Sequence, residues 1–138
     1  MKPEEKAHVR YRLGRANEAL EEAKLLADSG HLRTAVNRLY YACFYCVSAL
    51  LLCEGQTSSK HSGVRALFDK DWVKSGRIPI AMGRFYRRIF ACRQKADYAD
   101  LVIFKADDVR HWLQEADAFV AEVSTLVEER LGDHAETL

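Results

Sequence analysis

Arg93, Asp97 and Tyr98 close a stretch, RFYRRIFACRQKADYAD, in which Arg84, Arg87, Arg88, Arg93 and Lys95 all precede the first acid. A guanidinium is a planar fork that suits phosphate oxygens. Clustered bases raise the potential around it. Arg93 and Asp97 are four residues apart, so on a helix they share a face and can pair. Two readings follow. One is a surface ion pair with a tyrosine packed below it. The other is an anion site in which Arg93 takes a phosphate, Asp97 holds Arg93 in place, and Arg87 and Lys95 add charge. Tyr98 lies about 100° further round the same helix, near its end.

A second constellation sits upstream, in AVNRLYYACFYCVSALL. Arg38, Tyr41, Tyr45 and Ser48 fall on one line at helical steps. Buried tyrosine hydroxyls need partners. These tyrosines either border a helix–helix interface or, with Arg38, line the same groove as Arg93. Arg38 and Tyr41 are therefore candidates for holding a phosphate or nucleotide. Cys43 and Cys46 form a C-x-x-C on one face, but no second pair gives zinc its four ligands, so core packing is the expected role. The histidines His8, His31, His61, His111 and His134 show no metal-ligand spacing. His61, in SSKHSGV, is expected to cap a helix or lie on the surface. No metal and no cofactor is expected.

These residues must be carried on helices. The chain has only two prolines and seven glycines in 138 residues, too few breakers for many short strands. Val9, Leu13, Ala16, Leu20, Ala23 and Ala27 give the apolar face of a first helix over about 3–27, ended by Asp28-Ser29-Gly30. A second, about 32–53, is apolar nearly all round and should be central. A third runs over about 59–73. A fourth starts at Pro79 with Met82, Phe85, Ile89, Cys92 and Ala96 as its core stripe, beside a second stripe of Tyr86, Phe90, Arg93 and Asp97. A fifth, from Ala106, has Val109, Trp112 or Leu113, Ala116, Phe119, Val123 and Leu126 as its apolar face. The fold class is all-α: an up-and-down bundle of four to five helices. It forms one domain over 1–131, with 132–138 as a frayed tail.

The composition, 49% hydrophobic and 30% charged with a net charge of +1, is that of an ordinary globular domain. Its charge is unevenly placed. Residues 106–138 are acid-rich, with Arg110 and Arg130 as their only bases. The opening MKPEEKAHVR carries no signal-peptide pattern. The near-apolar run from Leu39 to Cys53 is shorter than the roughly 20 residues that span a bilayer. Reduced thiols and a cytoplasmic location, with no membrane association, are the expectation.

Taken together, AVNRLYYACFY, KHSGVRALF and RQKADYAD resemble, in order and spacing, the HEPN-domain family, closest to its small stand-alone prokaryotic branch. The resemblance covers nearly the whole chain. It implies a bundle of four or five helices, a homodimer, and a minimal nucleotidyltransferase as antitoxin partner. It implies a metal-independent ribonuclease toxin acting on RNA, or a nucleotide-binding module. The family's ribonuclease signature is an arginine followed four to six residues later by histidine. Arg93 matches the arginine, but Tyr98 stands where the histidine would be. Cleavage through a 2′-hydroxyl wants a proton acceptor titrating near neutrality. Histidine does so near about 6.5, tyrosine near about 10. On this resemblance Arg93 stabilises phosphorane charge, Asp97 positions it, and Tyr98 donates a hydrogen bond. Tyr98 is also the candidate acceptor for AMP from the partner enzyme. Without turnover, the same groove describes a dimer that binds nucleotides or RNA, or docks on the nucleotidyltransferase.

Overall fold

A computed structural model describes residues 1–98 and 102–132; Ala99 and Asp100 of the motif stretch, and the tail beyond Gly132, lie outside the described residues. Five helices follow in order: α1 Pro3–Asp28, α2 Leu32–Leu52, α3 His61–Phe68, α4 Ile80–Tyr98 and α5 Ala106–Leu131. α3 continues without a break into a π-helical turn, Asp69–Val73, whose wider pitch shows in the Lys74 N–H to Asp69 carbonyl bond of 2.9 Å. The expected bundle is present, and no strand occurs among the described residues.

α1 starts with Pro3 in its first turn and Glu4 and Glu5 at the positive end of the helix dipole. It stops in a Schellman arrangement: His31 N–H donates to Leu26 at 2.8 Å and Gly30 N–H to Ala27 at 3.0 Å. Gly30 takes φ +81°, which costs glycine little. The short turn folds α2 back along α1.

α2 packs against α1, α3, α4 and α5. At 21 residues it is long and apolar enough to cross a bilayer by length and composition, which the apolar run alone did not suggest. Most of its surface is instead covered by its neighbours, with Leu39, Tyr40, Cys43, Cys46, Val47 and Leu50 fully buried. Cys46 Sγ donates to the Cys43 carbonyl at 3.2 Å, and burial pushes both thiols well above their usual range. They behave as core residues.

α4 buries a wider face than the expected stripe, extended towards the second stripe beside it. Phe85, Ile89 and Ala96 are buried, but Met82 and Cys92 only partly. Tyr86, Phe90 and Arg93 are buried with them. The physical reason is that α4 packs on α2, α3 and the π-helical turn, so its covered face is turned towards the aromatic stripe.

Trp72, in the π-helical turn, is fully buried. It is flanked by the guanidinium carbons of Arg77 at 3.8 Å and Arg130 at 4.6 Å. Glu54 bridges both cations, at 2.7 Å and 3.5 Å. The Arg77 hydrogen bonds, and then the charge of Arg130, hold its carboxyl below the usual range. A depressed folded-state pKa stabilises above the unfolded value and is lost as pH falls through the folded one. Glu54→Gln is therefore expected to cost about 0.5–1 kcal/mol at pH 7, because the group is partly exposed. In urea melts across the acid range the gap to wild type should close below about pH 4. A gap that persists there would contradict the ionic account.

Candidate functional site

α2, α3 and α4 meet at one end of an aromatic cluster. Tyr40 is its centre, stacked with Tyr86 at 6.2 Å and edge-on to Phe90 at 5.9 Å. Arg93 comes in from α4. It is 9% exposed, with its guanidinium carbon 4.9 Å from the Tyr40 ring centre and 6.0 Å from that of Tyr41. Charge over a π face is worth about 0.5–2 kcal/mol, more as water is excluded. Arg93 Nη1 donates to Asp97 Oδ2 at 3.3 Å. Its Nε is buried and has no hydrogen-bond partner among the described residues. The guanidinium is thus set between helices and does not lie on the open exterior.

Asp97 is held from two sides, because its Oδ1 accepts from Asn37 Nδ2 at 3.2 Å. Arg38 joins the same network. Its Nε and Nη2 donate to Asn37 Oδ1 at 3.3 and 3.2 Å. Its Nη1 faces Glu22 of α1 at 3.5 Å, and it stacks over Tyr41 at 5.0 Å. Arg93, Asp97, Arg38 and Tyr41 are therefore brought together. Two rigid helices fix a cation whose position otherwise depends on a long side chain.

Arg87 and Lys95 are placed elsewhere. Arg87 is exposed and pairs with Asp69 at 3.1 Å, towards the π-helical turn. Lys95 is exposed beside Cys92. Arg88 pairs with Glu115 of α5 at 3.5 Å. Acids from other helices thus answer much of the charge that the stretch gathers in sequence. Tyr98 stands in solvent, 78% exposed. Arg33 of α2 secures the end of α4, donating to the carbonyls of Ala96 and, at 2.8 Å, Val102.

His61 is not the surface or capping residue expected from sequence. α3 has no side-chain cap at its start, and the imidazole turns inward. It stacks on Phe44 at 4.4 Å and Tyr40 at 5.7 Å, and meets Tyr41 edge-on at 5.6 Å. Its Nδ1 lies 3.1 Å from the Tyr40 hydroxyl. Burial, and then the charge of Arg93, lower its pKa. Gly63 lets the preceding loop close over α3, since a Cβ there would clash with the Ser58 side chain. Sequence reasoning also passed over Asn37. Neither residue has a local signal: Asn37 and Asp97 meet from helices far apart in the chain, and His61 and Arg93 come to the same Tyr40 and Tyr41 rings only in the fold.

On the other side of Phe44 lies a separate hollow of about 200 Å³, lined by Tyr11, Arg12, Arg15, Tyr45 and Gln56 among others. Tyr45 thus belongs to that hollow, where its hydroxyl accepts from Arg15 at 3.3 Å, while Arg93 sits on the Tyr40 side.

Comparison with known proteins shows the family. A Thermotoga maritima relative, "UPF0332 protein", is 45% identical over 121 residues, covering 88% of this chain and 92% of its own. A Methanocaldococcus jannaschii relative, "Putative toxin MJ0142", is 32% identical over 106 residues, covering 77% and 72%. Another from that organism, "Putative toxin MJ0605", is 36% identical over 101 residues, covering 67% and 75%. The family profile described as HEPN domain matches residues 9–129. With nearly the whole bundle matched, the chain belongs to the HEPN-domain family.

Proposed function

We propose that the chain is a HEPN toxin acting in the cytoplasm as a metal-independent ribonuclease, with Arg93 as the phosphate-holding residue. One observation carries the reading: an arginine side chain, 10% exposed, on an aromatic floor and latched by Asp97. Nη1 is engaged and Nε is buried, so Nη2 remains as donor to a phosphate oxygen. A fixed donor in a site that excludes water stabilises charge that develops on a phosphorane. The toxin names of the two archaeal relatives support the same role. The functional unit in this reading is a homodimer, in which a second copy brings its own Arg93 to a shared cleft. Its antitoxin is a minimal nucleotidyltransferase.

A second reading has its own support in Tyr98. At 78% exposure it does not complete an Arg-x4-Tyr site within one chain. It is instead reachable by another enzyme. In that reading Tyr98 is a modification or docking point, its oxygen attacking the α-phosphate of ATP with loss of pyrophosphate, and the groove binds RNA or nucleotide without turnover.

Expression of the chain alone, and with the neighbouring nucleotidyltransferase, separates the two readings. A ribonuclease toxin slows growth and fragments RNA when alone, and the partner relieves both. Intact RNA and normal growth in both cultures, with purified protein that binds nucleotide but does not cut RNA in EDTA, leave the binding module.

A further inference from the structure

We propose that His61, at the first position of α3, is the proton-transfer group of the Arg93 site, supplied in space where the motif stretch supplies none. The inference rests on the ribonuclease reading above and deepens it.

Arg93 and His61 come from different helices but share the same two rings. The guanidinium lies over Tyr40 and near Tyr41. The imidazole stacks on Tyr40, meets Tyr41 edge-on and rests on Phe44. One phosphodiester placed on Arg93 therefore has an imidazole beside it. The ring is also oriented. Its Nδ1 is engaged by the Tyr40 hydroxyl at 3.1 Å. Burial pushes that phenol up, so it stays protonated and can accept from Nδ1–H or donate to Nδ1. With the proton on Nδ1, the lone pair is on Nε2, the atom that the Tyr40 bond leaves open. This is how a third group orients a catalytic base. Tyr98, exposed on α4, has no such setting.

Among the described residues, the groups facing the imidazole are Tyr40, Tyr41 and Phe44 from α2 and Arg93 from α4, and none of these carries a carboxylate. Burial and the Arg93 cation both favour the neutral ring, which is the form a general base requires at pH 7. The step balances without a metal. The 2′-hydroxyl proton passes to Nε2 and the 2′-oxygen bonds to phosphorus. The phosphorus–5′-oxygen bond breaks, and the 5′-oxygen leaves with a proton from water. The products are a 2′,3′-cyclic phosphate and a 5′-hydroxyl. The imidazolium then returns its proton to solvent.

The test uses the full chain and a fluorescent oligoribonucleotide in EDTA, with wild type, Arg93→Ala, His61→Gln and His61→Ala. Gln keeps a polar partner for Tyr40 but takes no proton. The expected result is a loss of about 10²–10⁴-fold in His61→Gln. Imidazole added to His61→Ala should restore part of the rate, and a misfolded protein would not be restored. Wild-type cleavage should rise with pH through a pKa below about 6.5 and level off, and this limb should vanish in His61→Gln. Cleavage by His61→Gln within threefold of wild type, with Arg93→Ala inactive, overturns the role of His61 and leaves the ribonuclease reading standing. So does a loss in both His61 variants that imidazole does not relieve. A wild-type protein that never cuts RNA overturns both.

Discussion

Arg93→Ala is expected to lower RNA cleavage by about 10²–10³-fold, the effect of removing one preorganised donor from developing oxyanion charge. That is about 3–4 kcal/mol of transition-state stabilisation. Cells expressing the variant should grow as if the gene were absent, and their RNA should stay intact. Two features make the effect large. The guanidinium is fixed by Asp97 and the ring of Tyr40, so no reorganisation is needed when charge develops. It is also nearly dry, so its field is weakly screened. Arg93→Lys should rescue little, because an ammonium cannot both pair with Asp97 and stack as a plane on Tyr40. The variant protein should remain folded, since Asp97 keeps its bond from Asn37. Cleavage by Arg93→Ala within threefold of wild type would remove the site from the mechanism.

Trp72→Ala should cost about 3–5 kcal/mol of folding stability, the range for emptying a buried aromatic position. Against the roughly 5–15 kcal/mol of a typical domain, that moves the urea midpoint far, with the slope unchanged if unfolding stays two-state. The cost has two sources. The ring fills the interior beneath the π-helical turn, and its faces carry Arg77 and Arg130. Removing it leaves a cavity and frees the two cations that Glu54 bridges. Trp72→Phe should lose much less. The smaller ring keeps an aromatic face, and the indole N–H it deletes has no hydrogen-bond partner among the described residues, so no bond is given up. A loss under about 1 kcal/mol for Trp72→Ala would contradict the packing account.

The helices could be read from the sequence because their signals are local. The α1 stripe from Val9 to Ala23 is buried as its spacing indicates, and Gly30 ends the helix as a left-handed cap. The burial of α4 was harder to read. A stripe counted from apolar residues alone gave Met82, Phe85, Ile89, Cys92 and Ala96; the packed face keeps Phe85, Ile89 and Ala96, covers Met82 and Cys92 only in part, and adds Tyr86, Phe90 and Arg93. Polar-tipped aromatics and an arginine do not register as core, although their stems and rings pack well. The site was half legible. Arg93, Asp97, Arg38 and Tyr41 have helical spacing that brings them to common faces. Asn37 and His61 reach the site only through tertiary packing. The basic character of the Arg84–Lys95 stretch overstated the field, since Asp69 and Glu115 arrive from outside it.

Tyr40 and Phe44 are at once beams of the central helix and the floor on which Arg93 and His61 rest. Novel specificity in such an architecture has to be acquired from the rim, by exchange at positions such as Arg38 and Asn37. A change made from beneath would dismantle the building along with the workshop.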